Sequence, residues 1–279
     1  MQEYRVMVST ADVWSQPGPG PDRERLTQAL CGDRVRTKRV EKGWVLGQVQ
    51  DGYWGWLARA ELEPAPEKEE RQVVVAEAVV QVPLLFSGGT ATESPIRLYL
   101  GTRLTVIDEH PGSFVVRLPG GSLGQLPAGV VHRPTENKAT EVLKYALCLK
   151  GSPYLWGGMT CDGIDCSGLV HMAYRTAGIL LPRDADQQYA YGWRVESSLV
   201  PGDLVFFATT EPGFPAHVGL YLGEDRFLHA SSRLGGVVVT SLNAPFYREC
   251  LLGARRVLTA QAGFGFRQGE EQGAWENTP

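Results

Sequence analysis

Four residues far apart in the chain have the side chains of a reactive site: Cys161, Cys166, His217 and His229. A cysteine beside a histidine base, itself held by a second polar group, is the nucleophile–base–orienter set of acyl-transfer enzymes. Two cysteines and two histidines are also a zinc-ligand set. In TCDGIDCSGLV four residues separate the cysteines, the loose end of zinc-ligand spacing, and a disulfide between them is a third reading. The bland alternative makes Cys166 a small apolar packing residue and each histidine a core residue.

The choice depends on the elements that carry these residues. In CSGLVHMAYRTAG, Leu169, Val170, Ala173, Tyr174 and Ala177 recur at helical spacing, and Gly178 is a plausible stop. Cys166 then sits at or just before the first turn, with Asp162 and Asp165 as capping candidates. A thiol there meets the positive end of the helix dipole and free backbone N–H groups. Both favour the thiolate and predict a pKa below the ordinary value of about 8.5. The same N–H groups could serve an oxyanion.

His171 lies five positions after Cys166, roughly 140° around the helix, and points elsewhere. His217 in AHVGLYLG and His229 in RFLHASS flank Gly223-Glu224-Asp225, a good hairpin turn. A turn centred on Glu224 sets His217 opposite Ser231 and His229 opposite Gly219. Both imidazoles then share one face as diagonal neighbours, and a one-residue slip would separate them. In this reading His217 is the base for Cys166, and His229 holds its tautomer.

The chain of 279 residues is long enough for two or three domains, and 43% hydrophobic with 21% charged residues reads as soluble and globular. A net charge of −4 without a basic run argues against nucleic acid. No apolar run approaches the roughly 18 residues of a membrane span, so no membrane association is expected. The N-terminus MQEYRVMVSTADVW lacks the pattern of a secretory signal, and a cytoplasmic location is the expectation. Five cysteines, odd in number and irregular in spacing, fit reduced thiols better than a disulfide framework. Oligomeric state is not set by the sequence.

The first half repeats itself at a shift of 69 residues: Gly32 meets Gly101, Gly43 meets Gly112, Gly52 meets Gly121 and Gly55 meets Gly124. Recurring glycines mark turns of one geometry, and the short β-branched and aromatic runs between them predict two small β-barrels. The charged, proline-containing stretch PAPEKEE from Pro64 reads as a linker, and a second boundary falls near RPTEN from Arg133. At one place the copies differ. Tyr53 and Trp56 in the first correspond to Ser122 and Gln125 in the second. The fold does not need aromatics there, so in the first copy they imply a contact, either with a ligand or with another domain.

The second half opens with a predicted helix in TEVLKYALCLK and the loop PYLWGG, and turns to strands after about residue 199. Helices followed by strands read as an α+β domain. The expected division is residues 1–64 and 65–135 for the barrels, 136–258 for the α+β domain, and a flexible tail over 259–279.

PYLWGG, GIDCSGLV, LPRDADQQ, PGDLVFF, HVGLYLG and FLHAS occur in that order. Together they resemble the NlpC-type cysteine peptidases that cut cell-wall peptides. The resemblance covers residues 138–258, and the front half resembles bacterial SH3-like domains. Two such domains ahead of the peptidase are similar to the γ-D-glutamyl-L-diamino-acid endopeptidases of murein-peptide recycling. The resemblance implies a papain-like fold, no metal and no cofactor. It implies cleavage after γ-D-Glu in murein-derived peptides that carry a free N-terminal L-Ala.

Carried over by position, Cys166 matches the nucleophile, His217 the base and His229 the third polar residue. Trp156, Asp165, Ser167 and Asp184 fall where relatives line the substrate pocket. Asp165 and Asp184 would be carboxylate partners for an ammonium, and Tyr53 would close the pocket over the L-Ala amine. Ala185 stands where relatives often have serine, one hydroxyl fewer near the D-Glu carboxylate. Two other functions keep these motifs: a non-catalytic murein-binding protein, and a related thiol amidase or acyltransferase.

Overall fold

The structure is a computed structural model that describes residues 2–66, 71–84, 95–134 and 139–257. Seven strands come first: β1 (Glu3–Val6), β2 (Thr10–Trp14), β3 (Arg25–Leu30), β4 (Arg34–Glu41), β5 (Trp44–Gln48), β6 (Trp54–Ala58) and β7 (Leu62–Pro64). They form one antiparallel sheet in the order β3-β2-β6-β5-β4-β1-β7. Its interior is a small apolar core of Val6, Val13, Val35, Val45, Leu57 and neighbours.

A second β unit follows: β8 (Gln72–Val75), β9 (Val79–Val82), β10 (Ile96–Tyr99), β11 (Arg103–His110), β12 (Ser113–Arg117), β13 (Leu123–Pro127) and β14 (Val131–His132). It repeats the first strand by strand at the same shift. The pair Tyr4↔Val35 between β1 and β4 recurs as Val73↔Leu104 between β8 and β11.

The repeated glycines have two causes. Gly32, Gly43, Gly52 and their counterparts Gly101, Gly112, Gly121 all have φ between 78° and 93°, where a side chain is strained. Gly55 and Gly124 mark no such turn. A Cβ on Gly55 would meet Val13 Cγ1 at 2.5 Å, and one on Gly124 would meet Val82 Cγ1 at 2.6 Å. Val13 and Val82 are themselves repeat counterparts, so these glycines preserve the same close approach of strands in each unit. Parts of both expected connectors, residues 67–70 and 135–138, and the expected tail at 259–279 lie outside the described residues.

The α+β part contains α1 (Val142–Cys148), a hairpin of β15 (Met159–Thr160) and β16 (Gly163–Ile164), α2 (Cys166–Thr176), α3 (Ala185–Ala190) and β17 (Trp193–Arg194). It continues with β18 (Leu204–Phe207), β19 (His217–Gly223), β20 (Arg226–Ser231), β21 (Gly236–Ser241), α4 (Pro245–Cys250) and β22 (Leu251–Arg256). The six strands from β17 pair antiparallel in the order β17-β22-β18-β19-β20-β21.

Every residue of α2 is buried. Leu169, Val170 and Ala173 share a core with Val218, Leu220 and Leu228 of the sheet. Leu30, Tyr99 and Leu100, which belong to the two β units, enter the same core. A Cβ on Gly101 would meet Met172 Cε at 2.7 Å, so the second unit lies directly against α2. Arg175 of α2 is also buried, and it donates to the buried Asp33 carboxylate of the first unit. Among the described residues no helix is long and apolar enough to cross a membrane.

Candidate active site

Asp165 caps α2. Its backbone is extended (φ −96°, ψ 178°), and its Oδ1 accepts from the Gly168 N–H at 2.7 Å. Cys166 is thus the first residue of the helix, as the stripe predicts. Asp162, the other capping candidate, turns away and binds Arg97 and Tyr99 of the second β unit. Gly168 has little room for a side chain, since a Cβ would meet the Gly158 carbonyl oxygen at 2.5 Å.

The thiol departs from the expected electrostatics. Burial pushes Cys166 up to about 12, with the Asp165 charge adding to it. The Val218 and Ser167 N–H groups act in the other direction and do not offset the loss of water. The helix terminus is where the sequence places it, but here desolvation outweighs it.

The histidines meet as the hairpin register requires. Leu220 pairs with Leu228 and Tyr221 with Phe227, the predicted alignment. The turn itself is the two residues Glu224 and Asp225, with φ of 51° and 54°, and a bulge before Gly223 keeps the register. His217 Nε2 lies 2.8 Å from His229 Nδ1, and His229 Nε2 lies 2.9 Å from Thr240 Oγ1 on β21.

Two proton arrangements satisfy both contacts: His217 donates to His229 and His229 to Thr240, or Thr240 donates to His229 and His229 to His217. The first leaves the Nδ1 of His217 with its lone pair, the form a base requires. Phe207, Phe227 and Tyr247 enclose the pair, with the Tyr247 ring 5.0 Å from that of His229. Burial lowers His217 to about 4 and His229 to about 3, so both imidazoles are neutral at pH 7. The Val218 N–H that faces the Cys166 sulfur follows His217 directly, which sets the start of β19 against the start of α2.

The expected pocket residues divide. The Tyr53 hydroxyl, from the first β unit, donates to Asp184 Oδ2 at the start of α3. Burial raises the pKa of the Asp184 carboxyl, and the Tyr53 bond and the Arg183 charge limit the rise. Trp156 is 60% exposed, and its indole N–H donates to Glu24 Oε1 of the first unit at 2.8 Å.

Asp165 and Ser167 have partners inside the protein. Both are buried. The Asp165 oxygens accept from the Gly157 and Gly168 N–H groups and from two nitrogens of Arg183. The Ser167 hydroxyl accepts from Arg183 at 2.9 Å. With these lone pairs taken inside the protein, Asp165 is not placed to hold a substrate ammonium.

Two residues of the site were missed in the sequence. Arg183, 1% exposed, joins Asp165 and Ser167 to Thr27 Oγ1 of the first β unit at 3.1 Å. Thr27 in turn donates to Asp51, whose other oxygen accepts the Tyr53 N–H at 3.0 Å. Arg183 stands in the recognised run LPRDADQQ, but its partners are too distant in sequence to be inferred. Tyr154 is the other: it bridges to Ile164, two residues before Cys166. All five cysteines are free. Among the described residues no group of three or more His, Cys, Asp and Glu side chains is arranged to hold a metal ion.

A thiol at a helix start and a buried imidazole in contact with a second one are the groups a cysteine peptidase uses. The comparisons specify which kind. The NlpC/P60 family model matches residues 151–256, and the model of the bacterial dipeptidyl-peptidase Sh3 domain matches residues 17–62. A γ-D-glutamyl-L-lysine dipeptidyl-peptidase of Bacillus cereus is 31% identical over 252 residues, 83% of this chain and 75% of that one. The murein DD-endopeptidase MepS/murein LD-carboxypeptidase of Escherichia coli is 43% identical over 112 residues, 39% of this chain and 58% of that one. The crystal structure of an NlpC/P60 family protein from Bacillus cereus superposes with a TM-score of 0.83 at 26% identity, covering 92% of this chain and all of that one. The chain belongs to the NlpC/P60 family of peptidoglycan cysteine peptidases and carries an SH3-like region ahead of its peptidase domain.

Proposed function

We propose that this chain is a γ-D-glutamyl-L-diamino-acid endopeptidase that releases L-Ala-γ-D-Glu from trimmed murein peptides. The observation that carries the reading is the bond from Tyr53 to Asp184, which joins the first β unit to the start of α3; in this reading the joined edge is a wall of the substrate cleft. Asp184 Oδ2 accepts from Tyr53 and, at 3.5 Å, from Gln187 Nε2, and an N-terminal ammonium would add a charge-assisted donor. A peptide with a free L-Ala amine fits behind this wall, and a glycan-linked stem would collide with it. On that ground we place the enzyme in recycling of imported murein peptides, in the cytoplasm.

In this mechanism His217 Nδ1 takes the Cys166 proton as the sulfur attacks the γ-glutamyl carbonyl carbon. Backbone N–H groups at the start of α2 receive the oxyanion. His217 then protonates the departing amine of the diamino acid. Water, deprotonated by the same imidazole, releases L-Ala-γ-D-Glu from the thioester. His229 holds the base in its tautomer, as the 2.8 Å contact supports. Trp156 flanks the entry, and Asp165 and Ser167 shape the pocket from behind through Arg183.

The reading includes the domain division at residues 1–64, 65–135 and 136–258, with the second β unit also SH3-like. Its support is the strand-for-strand repeat at a shift of 69 residues. The test is incubation with L-Ala-γ-D-Glu-diaminopimelate and with the same peptide N-acetylated on L-Ala. Release of L-Ala-γ-D-Glu from the first and not the second is the expected result. Equal rates would remove the amine role of Tyr53 and Asp184, and an intact first peptide would remove the reading.

A further inference from the structure

In the functional reading the Tyr53–Asp184 bond marks the amine end of the peptide. The turn between β20 and β21, residues 232–235, and α4 lie by the histidine pair, with the Tyr247 ring 5.0 Å from that of His229. This turn is tied to the site at two points. The Tyr154 N–H donates to the Gly235 carbonyl at 3.0 Å, and Ser231 Oγ lies 3.5 Å from the Tyr247 hydroxyl. Tyr154 bridges to Ile164, two residues before Cys166, and the Tyr247 ring lies 6.3 Å from that of His217. The turn is therefore fixed to two tyrosines beside the elements that carry Cys166 and His217.

Arg233 stands at the tip of this turn. Its side chain is exposed, and its guanidinium lies 4.0 Å over the Phe246 ring. Phe246 packs edge-on against Tyr247 with ring centroids 5.0 Å apart. The Tyr247 ring in turn lies 5.0 Å from that of His229. Among the described residues no carboxylate pairs with Arg233, in contrast to Arg226 at the other end of β20, which binds Glu224. Stacking on an aromatic face holds a guanidinium in place and leaves its N–H edge free for an anion.

We propose that Arg233 selects the leaving amino acid by the carboxylate at the end of its side chain, favouring diaminopimelate over lysine. The inference rests on the functional reading above. L-Lys ends in an ammonium, which the guanidinium repels. meso-Diaminopimelate carries an additional carboxylate there, and arginine matches carboxylates with paired donors. The α-carboxylate is common to both amino acids and cannot discriminate between them.

The test measures kcat/KM on L-Ala-γ-D-Glu linked to meso-diaminopimelate, to L-Lys, and to diaminopimelate amidated on its side-chain carboxyl. The wild type is expected to prefer the first over the other two by about fivefold, the scale of one partly solvated charge pair. Arg233→Gln is expected to lose that preference at unchanged Tm, with the lysine peptide cut no more slowly. Equal wild-type rates on the native and amidated diaminopimelate peptides overturn the proposal without use of any variant. An equal loss on all three in Arg233→Gln also overturns it, because the arginine then serves the shared α-carboxylate. Cleavage of none of the three, with the Cys166 thiol titrating as free, removes the functional reading and this inference with it.

Discussion

Cys166 has the right address and an unexpected resting state. Burial holds the thiol up at about 12 and the His217 imidazole down at about 4, so the free enzyme keeps a neutral thiol–imidazole pair between those values. In the proposed mechanism the proton moves as the sulfur attacks, with no ion pair formed beforehand. Alkylation of Cys166 by iodoacetamide should therefore accelerate about tenfold per pH unit from pH 6 to 9 without levelling, because only the thiolate reacts. A plateau below pH 7 would indicate a preformed thiolate–imidazolium. Cys161→Ser should leave peptide hydrolysis near the wild-type rate, and Cys166→Ser should remove it. The reverse pattern would revive a metal role for the cysteine pair. Tyr53→Phe should raise KM for the free-amine peptide by about fivefold and change kcat little, since one hydrogen bond to a charged group is lost on the binding side.

At the scale of the element, α2 and the β19–β20 hairpin were legible and the environment around them was not. Helical period places Cys166, and strand alternation with a turn residue places the two histidines, because both rules act within about a dozen residues. Asp165 was assigned to substrate because its partner Arg183 arrives 18 positions later and from a different element. The thiol pKa was missed for a similar reason, since burial is a property of the whole assembly. His171 shows what the helix does with a histidine it does not use. Fully buried and near the Arg175 and Arg183 charges, it has its pKa lowered from 6.5 to about 3, and the Leu181 and Pro182 backbone only limits the fall. The unfolded chain binds this proton below about pH 6.5 and the folded chain does not. Stability is thus complete above pH 6.5 and falls as pH drops toward 3, by at most about 1.4 kcal/mol per pH unit for this one group. Urea denaturation of the wild type and of His171→Leu between pH 7 and 5 should show a shallower pH slope in the variant. Parallel slopes would place the effect on the other histidines.

At the scale of the whole molecule, the repeat predicted two β units but not how they meet the peptidase. Two buried arginines, Arg175 on the nucleophile helix and Arg183 beyond its end, tie the first unit to it. Arg183 reaches Thr27, and Arg175 reaches Asp33, both in the first unit and both completely inside the protein. The same unit supplies Tyr53, so the placement of the cleft wall depends on the junction. Asp33→Ala strands the Arg175 charge in the core and should cost about 3–5 kcal/mol in urea denaturation. Removing both charges, in Asp33→Leu with Arg175→Met, should recover more than half of that loss, because a buried pair stabilises less than its rupture costs. Activity separates junction from core. Under conditions where Asp33→Ala remains folded, its KM for the free-amine peptide should rise, while iodoacetamide should reach Cys166 at the wild-type rate. If alkylation changes and KM does not, Asp33 acts on α2 itself and the first unit does not position the wall through this pair.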